Sequence, residues 1–367
     1  MSAGAGGRTN VVPRLPMTGL AAALLLAASL ASLTSCSRTP RLVPAGADST
    51  AAIPADSTAL YVQMARDRWQ SPDDSGEAAD LTARLILDRM RGDRDQTLGS
   101  AAREFVDSLG MGAEVQGRDP AVVNLFSRSD PSGGSWPFLF WHDGQTVHYQ
   151  RLDADGMHLG GVTVEPAAAD KAQRIAAVFA GSGPGGQQPF AFVWVRPPNA
   201  ASWRLTQSLG TDSLGKTGNA RILEGSADGA VLETRTYTIE RGFDECPSCP
   251  HVYRLRRFRW DTSGLVSIGS GVEHTPYATF VQLIAALTAG DRAAAGQLVA
   301  DGALLSAADG YGFGIGKGRW RLAPGMTATS TELLLLRGSQ EAYRVHFAAR
   351  GDDWVITGFE PASRNVE

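Results

Sequence analysis

The most chemically pointed stretch of the chain is Cys246-Pro-Ser-Cys249-Pro-His251, which sets two thiols and an imidazole within six residues. Residues of these types can do three things: form a disulfide, exchange electrons as a dithiol, or ligate zinc. A redox pair of the thioredoxin kind opens a helix that follows a strand, where the helix terminus lowers a thiol pKa. Here Pro250 and an alternating, strand-like segment follow instead. A closed zinc site takes four ligands, and Cys246, Cys249 and His251 supply three, with no second cysteine pair in the chain. The zinc deaminase pattern needs a His-x-Glu partner and a proline before the first cysteine, whereas Glu245 precedes Cys246 and no His-x-Glu occurs. A disulfide between Cys246 and Cys249 is therefore the favoured reading, with metal and redox chemistry left open. So small a ring removes little chain entropy, worth roughly 2 kcal/mol, so its expected job is to stiffen the end of a hairpin.

Other candidate sites dissolve on inspection. Arg254, Arg256, Arg257 and Arg259 form a basic run on the strand after the cysteines, opposite Glu233, Glu240 and Asp261. A solvated, ion-paired face is expected there, an anion or partner site being the sharper alternative. Strand alternation puts Tyr253 and Leu255 on one face and Phe258 and Trp260 on the other, unless a bulge at Arg256-Arg257 gathers them. Of the 34 basic residues only Lys171, Lys216 and Lys317 are lysine, so clustered arginine is a weaker signal than usual. Gly310 to Gly318 superficially resembles a phosphate loop, but Tyr311 stands where its first glycine should be and Gly318 where a magnesium-binding hydroxyl should be. Its alternating glycines predict an extended segment with Tyr311, Phe313 and Ile315 on one face, and Tyr311 and Phe313 are the candidate ligand contacts. The chain has neither a His-Glu-x-x-His helix motif nor a Gly-x-Ser-x-Gly elbow. Arg350-Gly-Asp352 matches an adhesion tripeptide, but a hairpin turn selects the same residue types.

The elements that must position these residues begin after a leader. Arg8 and Arg14 open the chain, no acidic residue precedes Cys36, and Met17 to Leu33 is an almost unbroken Ala/Leu run. This is the pattern of a signal peptide, and the run is shorter than the roughly 20 apolar residues that comfortably span a bilayer. Leu33-Thr34-Ser35-Cys36 resembles the lipobox of bacterial lipoproteins. The resemblance implies cleavage before Cys36, lipidation of its thiol, and a protein held on the cell envelope. Two or three acyl chains make release negligible at about 0.8 kcal/mol per buried methylene. Ser37 in place of Asp favours the outer membrane, on its periplasmic side, where the cell has two membranes. An oxidising compartment also suits the disulfide.

Removing 35 of the 367 residues leaves 332, enough for two or three domains. The leader takes two basic residues and no acidic ones, leaving 32 basic against 38 acidic and a formal charge of −6. That sign gives no general attraction to nucleic acid. Residues 36–57, rich in Pro, Ala, Ser and Thr, read as a flexible tether. Residues 58–120 read as a helical region, with Leu81, Leu85, Leu87 and Met90, then Ala102, Phe105, Val106 and Leu109, at helical spacing and with Gly92 and Gly110 as stops.

Residues 121–272 read as a β-rich antiparallel domain. Trp136 to Trp141 meets Thr146 to Gln150 in a hairpin turned at Asp143-Gly144. Further strands are expected at 161–165, 190–196, 203–208, 220–224, 231–239, 251–260 and 265–268, with one helix at Ala167 to Ala180; no fixed period favours a propeller.

In residues 273–367, Thr275-Pro276 opens a helix along Tyr277, Phe280, Val281, Ile284 and Leu287, Gly290 ends it, and Asp291 caps a second reaching Ala300. Strands are expected at 319–322, 332–337, 342–349 and 354–359. Helices first and a curved antiparallel sheet afterwards resembles the nuclear transport factor 2-like, or cystatin-like, α+β cone.

The fold class expected is thus multi-domain α+β. The function expected is a non-enzymatic, envelope-anchored protein that binds a small ligand or an envelope protein, with no cofactor and no metal. The rival readings are a structural envelope component, or an enzyme using a cavity in the cone, with Asp309, Tyr311, Tyr343 or His346 as acid–base groups.

Overall fold

The computed structural model describes residues 57–93, 96–128, 134–165 and 171–363. Among them are seven α-helices and sixteen strands, the strands forming four antiparallel sheets of four. The fold is α+β, with more strand than helix. Cys36 and the leader lie outside the described residues. Among the described residues no helix is long and apolar enough to cross a membrane.

Three helices come first: α1 (Thr58–Trp69), α2 (Ser75–Gly92) and α3 (Leu98–Leu109). The hydroxyl of Thr97 accepts from the Ser100 amide to cap α3, and Gly110, at φ 71°, ends it in the left-handed conformation. The apolar stripes of α2 and α3 face the first sheet, β1 (Met111–Gly117), β2 (Ala121–Ser127), β3 (Ser135–Asp143) and β4 (Thr146–Arg151). Successive side chains of a strand point to opposite faces. Val123, Leu125, Phe138 and Phe140 accordingly pack under the helices, while Val122, Leu139 and Trp141 pack on the next sheet.

That second sheet is β5 (His158–Val164), β6 (Gln173–Gly183), β7 (Gly186–Arg196) and β8 (Arg204–Leu209). It is covered on both sides. Ile175, Ala177, Phe179 and Trp194 face the first sheet; Ala176, Val178, Ala191 and Val193 face the third. After the single-turn helix α4 (Thr211–Leu214), the third sheet is β9 (Thr217–Ile222), β10 (Leu232–Tyr237), β11 (Arg254–Asp261) and β12 (Gly264–Val272), and its Leu232, Phe258 and Leu265 close the second core. Helices and three meanders therefore stack as four layers in chain order.

The chain continues through α5 (Pro276–Ala289), α6 (Arg292–Gln297) and α7 (Gly302–Gly310) to the fourth sheet, β13 (Trp320–Leu322), β14 (Glu332–Arg337), β15 (Glu341–Arg350) and β16 (Asp353–Pro361). Its core joins Tyr277, Phe280 and Ile284 of α5 to Leu333, Leu335, Val345 and Ile356 of the sheet. Phe243 and Val252, from the loop between β10 and β11, are buried in the same core.

Three expectations need correction. The helix expected at Ala167 to Ala180 is strand β6 from Gln173 onward; residues 166–170 lie outside the described residues. A run of apolar residues buried on both faces shows neither helical nor strand period, and the alanines at 176 and 177 let two flanking sheets approach. Strand β1 occupies a stretch expected to be helical, and its hairpin with β2 crosses residue 120.

Gly310 to Gly318, finally, is a helix end followed by tight turns rather than an extended strip: Phe313 is buried and Ile315 is 62% exposed. A Cβ at Gly314 would stand 2.9 Å from the Leu287 carbonyl oxygen, so backbone packs on backbone there.

Candidate functional site

The loop between β10 and β11 carries the cysteines. Cys246 and Cys249 are bonded, their sulfurs 2.15 Å and their Cα atoms 5.0 Å apart, and the Cys249 amide donates to the Cys246 carbonyl at 2.9 Å. The hairpin below it pairs Leu232 with Phe258 through Thr236 with Arg254, so the loop caps a hairpin as expected, although β11 begins at Arg254 rather than His251.

Both flanks of the loop are clamped. On the entering side Phe243 packs edge-on to Tyr277 and Phe280, the Asp244 amide donates to the Trp320 carbonyl at 2.7 Å, and the Trp320 amide donates to Gly242 at 2.8 Å. Glu245 then turns inward. Its side chain is only 2% exposed, and it accepts from the Tyr277 hydroxyl at 2.6 Å and from His251 Nδ1 at 2.6 Å. His251 itself is 1% exposed at the side chain; its Nε2 faces the Pro247 carbonyl at 3.4 Å, and the Tyr237 ring stacks on it at 3.5 Å between centroids. Both ring nitrogens thus face oxygens, one of Glu245 and one of the main chain. Burial, and then the neighbouring Glu245 carboxylate, push the Tyr277 hydroxyl far above the usual phenol range, so it stays a donor.

Glu245 directly precedes Cys246 and His251 follows Cys249 by two residues, but nothing in the sequence ties them to Tyr277, 32 residues from Glu245. A helix face that reads as wholly apolar core hides a hydroxyl that serves a buried carboxylate.

The arginine run is largely the ion-paired face that was expected. Arg257 binds Glu233 at 2.9 Å and Asp228 at 3.0 Å, Arg221 binds Glu233 at 2.6 Å, and Arg254 binds Glu240 at 3.0 Å. Asp261 instead accepts from its neighbour Thr262. A register shift falls between Arg257 and Phe258, one residue later than expected. It does not gather the rings: Phe258 and Trp260 pack in the core between the second and third sheets, whereas Arg235 stacks over Tyr253 at 3.2 Å and binds Glu273 at 2.8 Å.

The candidate ligand and acid–base residues of the C-terminal part do not converge. Phe313 is 1% exposed and packs against Phe280, Trp320, Tyr343 and Phe359. Tyr311 lies beside it, and its carbonyl, with that of Gly312, accepts from Arg337 at 2.7 and 2.8 Å. Arg337 is a buried cation, seated 4.9 Å from the Trp320 ring centre and bonded to the Tyr343 hydroxyl and the Glu341 carboxylate. Asp309 pairs with Arg292 at the surface, and His346 lies between Glu332 and Glu360. Arg350, of the adhesion-like tripeptide, donates to the Gln297 carbonyl while Gly351, at φ 66°, turns the hairpin. Among the described residues no cluster of three or more His, Cys, Asp or Glu could hold a metal ion.

A concavity that the sequence does not announce lies elsewhere. A groove of about 870 Å³ runs between the α2–α3 connection and the β1–β2 and β3–β4 turns. Its floor is aliphatic, from Met90, Leu98, Val115 and Val147, and its rim carries Arg91, Arg118 and His142. Arg91 donates to the Val147 carbonyl at 2.9 Å, and His142 stands 3.3 Å from Asp119, while Arg118 is exposed on the turn between β1 and β2. The volume is that of an ordinary small-molecule site, and the Arg91 and Arg118 guanidiniums above an apolar floor suit a molecule with a hydrocarbon body and an anionic end.

No protein-family model matches the chain, and neither a curated protein nor a solved structure matches it.

Proposed function

We propose that the protein is exported, cut before Cys36, lipidated on that thiol, and held on the cell envelope as a non-enzymatic binding protein whose groove takes an amphiphilic anion. The observation that carries the binding reading is the groove itself, an aliphatic floor rimmed by Arg91, Arg118 and His142. The address is supported by the leader and by Leu33-Thr34-Ser35-Cys36, and the bonded Cys246 and Cys249 accord with an oxidising compartment. Residues 36–57 serve as the tether, so the groove samples the space just off a lipid surface. Where the cell has two membranes, Ser37 favours the periplasmic side of the outer one.

In this reading residues 58–120 and 121–272 supply the binding body, and residues 273–367 form a cone-like α+β unit similar to the nuclear transport factor 2-like family. Three helices preceding a four-stranded antiparallel sheet, and covering one of its faces, support the likeness. The interior of this unit is filled by Phe280, Phe313, Trp320 and Phe347, which favours a packing role for it over a ligand cavity.

Titration of the purified protein with decanoate in a calorimeter tests the binding reading. Saturable binding to one site, weakened at least about tenfold by Arg118→Glu through charge reversal at the rim, is expected. Absence of saturable binding, or binding indifferent to that substitution, would reject it.

A further inference from the structure

We propose that Cys246–Cys249 is a reversible thiol–disulfide exchange site, opened at Cys246 by an external dithiol, rather than a cross-link on which the fold depends. The inference is independent of the groove and of its ligand.

Access comes first. Cys246, Pro247 and Ser248 are exposed, whereas Cys249 is half-buried. An incoming thiolate therefore meets the sulfur of Cys246 and leaves that of Cys249 as the departing group. Exposed disulfides are the ones that exchange, because attack needs approach along the sulfur–sulfur axis.

The stability of the loop comes second. A ring this short constrains the unfolded chain by only about 2 kcal/mol, and the structure holds the loop by other means. Phe243 and Val252 are buried in the core under the fourth sheet, the Asp244 amide bonds to the Trp320 carbonyl, and Glu245 is held by Tyr277 and His251. None of these contacts involves sulfur. They fix the chain at Glu245, next to Cys246, and at His251 and Val252, two and three residues past Cys249, so the two Cα atoms, 5.0 Å apart, stay within bonding reach when the bond is open. Ser248 Oγ lies 3.5 Å from the Cys246 sulfur, where its hydroxyl can donate to a thiolate.

The exchange balances as follows. A thiolate of the dithiol attacks the Cys246 sulfur, forming a mixed disulfide and breaking the bond to Cys249, whose sulfur leaves with the electron pair and takes a proton from solvent. The second thiol of the dithiol, on losing its proton, attacks its own partner sulfur in the mixed disulfide and releases the Cys246 thiolate, which is protonated in turn. The protein pair gains two electrons and two protons, and the dithiol becomes a disulfide.

Equilibration of the protein, purified from its native envelope, with buffers of reduced and oxidised glutathione tests this. Differential alkylation with peptide mass mapping reads Cys246 and Cys249 separately from Cys36. The expected result is one reversible two-electron transition, with near-ultraviolet circular dichroism and thermal midpoint essentially those of the oxidised protein throughout. Cys249→Ser should accumulate a glutathione adduct on Cys246 at least about tenfold faster than Cys246→Ser does on Cys249, following accessibility. A pair that stays oxidised in reduced glutathione, a reduced form that loses its native spectrum, or equal adduct rates in the two variants would overturn the proposal; the wild-type titration decides even if a variant fails to fold.

Discussion

His251 Nδ1 lies 2.6 Å from Glu245 Oε2, with both side chains almost wholly removed from solvent on either side of a surface disulfide. A buried hydrogen-bonding group left without its partner carries an uncompensated desolvation cost. His251→Leu, which leaves Glu245 Oε2 without that partner, should therefore destabilise the protein by about 1–3 kcal/mol. Tyr277→Phe, which deletes only the donor to Glu245 Oε1, should cost about 1.5–3 kcal/mol, the range for a hydrogen bond to a charged group. Urea unfolding monitored by tryptophan fluorescence checks both, and wild-type stability in both variants would show that the cluster holds nothing.

Arg337 is a buried charge with a full set of partners. Its guanidinium serves the Tyr311 and Gly312 carbonyls, the Tyr343 hydroxyl and the Glu341 carboxylate at once. A lysine ammonium cannot reproduce that planar fork. Arg337→Met should cost about 3–5 kcal/mol, and Arg337→Lys should recover little of it. Equal unfolding midpoints for the lysine variant and the wild type would show that the fork geometry is immaterial.

The pH dependence of stability has a definite sign on the third and fourth sheets. Burial opposes ionisation of Glu233, but the hydrogen bonds from Arg257 and Arg221 outweigh it and hold the carboxyl below its usual range. Hydrogen bonds from Ser226 and from the Ala230 amide, with Arg257 beside it, lower Asp228 to about 2. Glu341 is likewise lowered, burial again opposing and the bond from Arg337 prevailing. A carboxylate depressed in the folded state contributes stability that is complete above its unfolded pKa, near 4. That contribution is lost as pH falls toward the folded value, for Asp228 between about pH 4 and 2. Asp80 acts in the opposite sense, because its burial outweighs Arg151 and raises it. Thermal midpoints should fall below pH 4, and Glu233→Gln should flatten the fall. A midpoint constant from pH 5 to pH 2 would contradict this.

Where an element's own residues decide it, the sequence could be read. The hairpin of β3 and β4 follows from alternation and one glycine; β3 runs two residues further than expected, to Asp143 opposite Thr146, and the turn is Gly144-Gln145, with Gly144 at φ 59°. Thr275-Pro276 opens α5, with the threonine hydroxyl accepting from the Ala278 amide at 3.1 Å. Elements decided by their neighbours could not be read in this way. Ile175 to Phe179 is a strand because sheets cover both its faces, and β1, rich in glycine and polar residues, exists because β2 pairs with it.

The same holds for the candidate sites. The cysteine pair announced itself by spacing. The groove draws on Met90 and Arg91, on residues 96–99, and on residues within 115–121 and 142–147, stretches that no local pattern connects. Tyr311 and Phe313 drew notice as an aromatic strip, but their position is dictated by Arg337, an arginine whose burial a strand pattern does not betray.

An envelope address is the premise of the proposed function, and the mass of the native product tests it most directly. Intact mass spectrometry of the protein extracted from cells with detergent should give a chain that begins at Cys36 and carries diacylglycerol on that thiol. A product that begins at Met1, unacylated and recovered without detergent, would contradict the account.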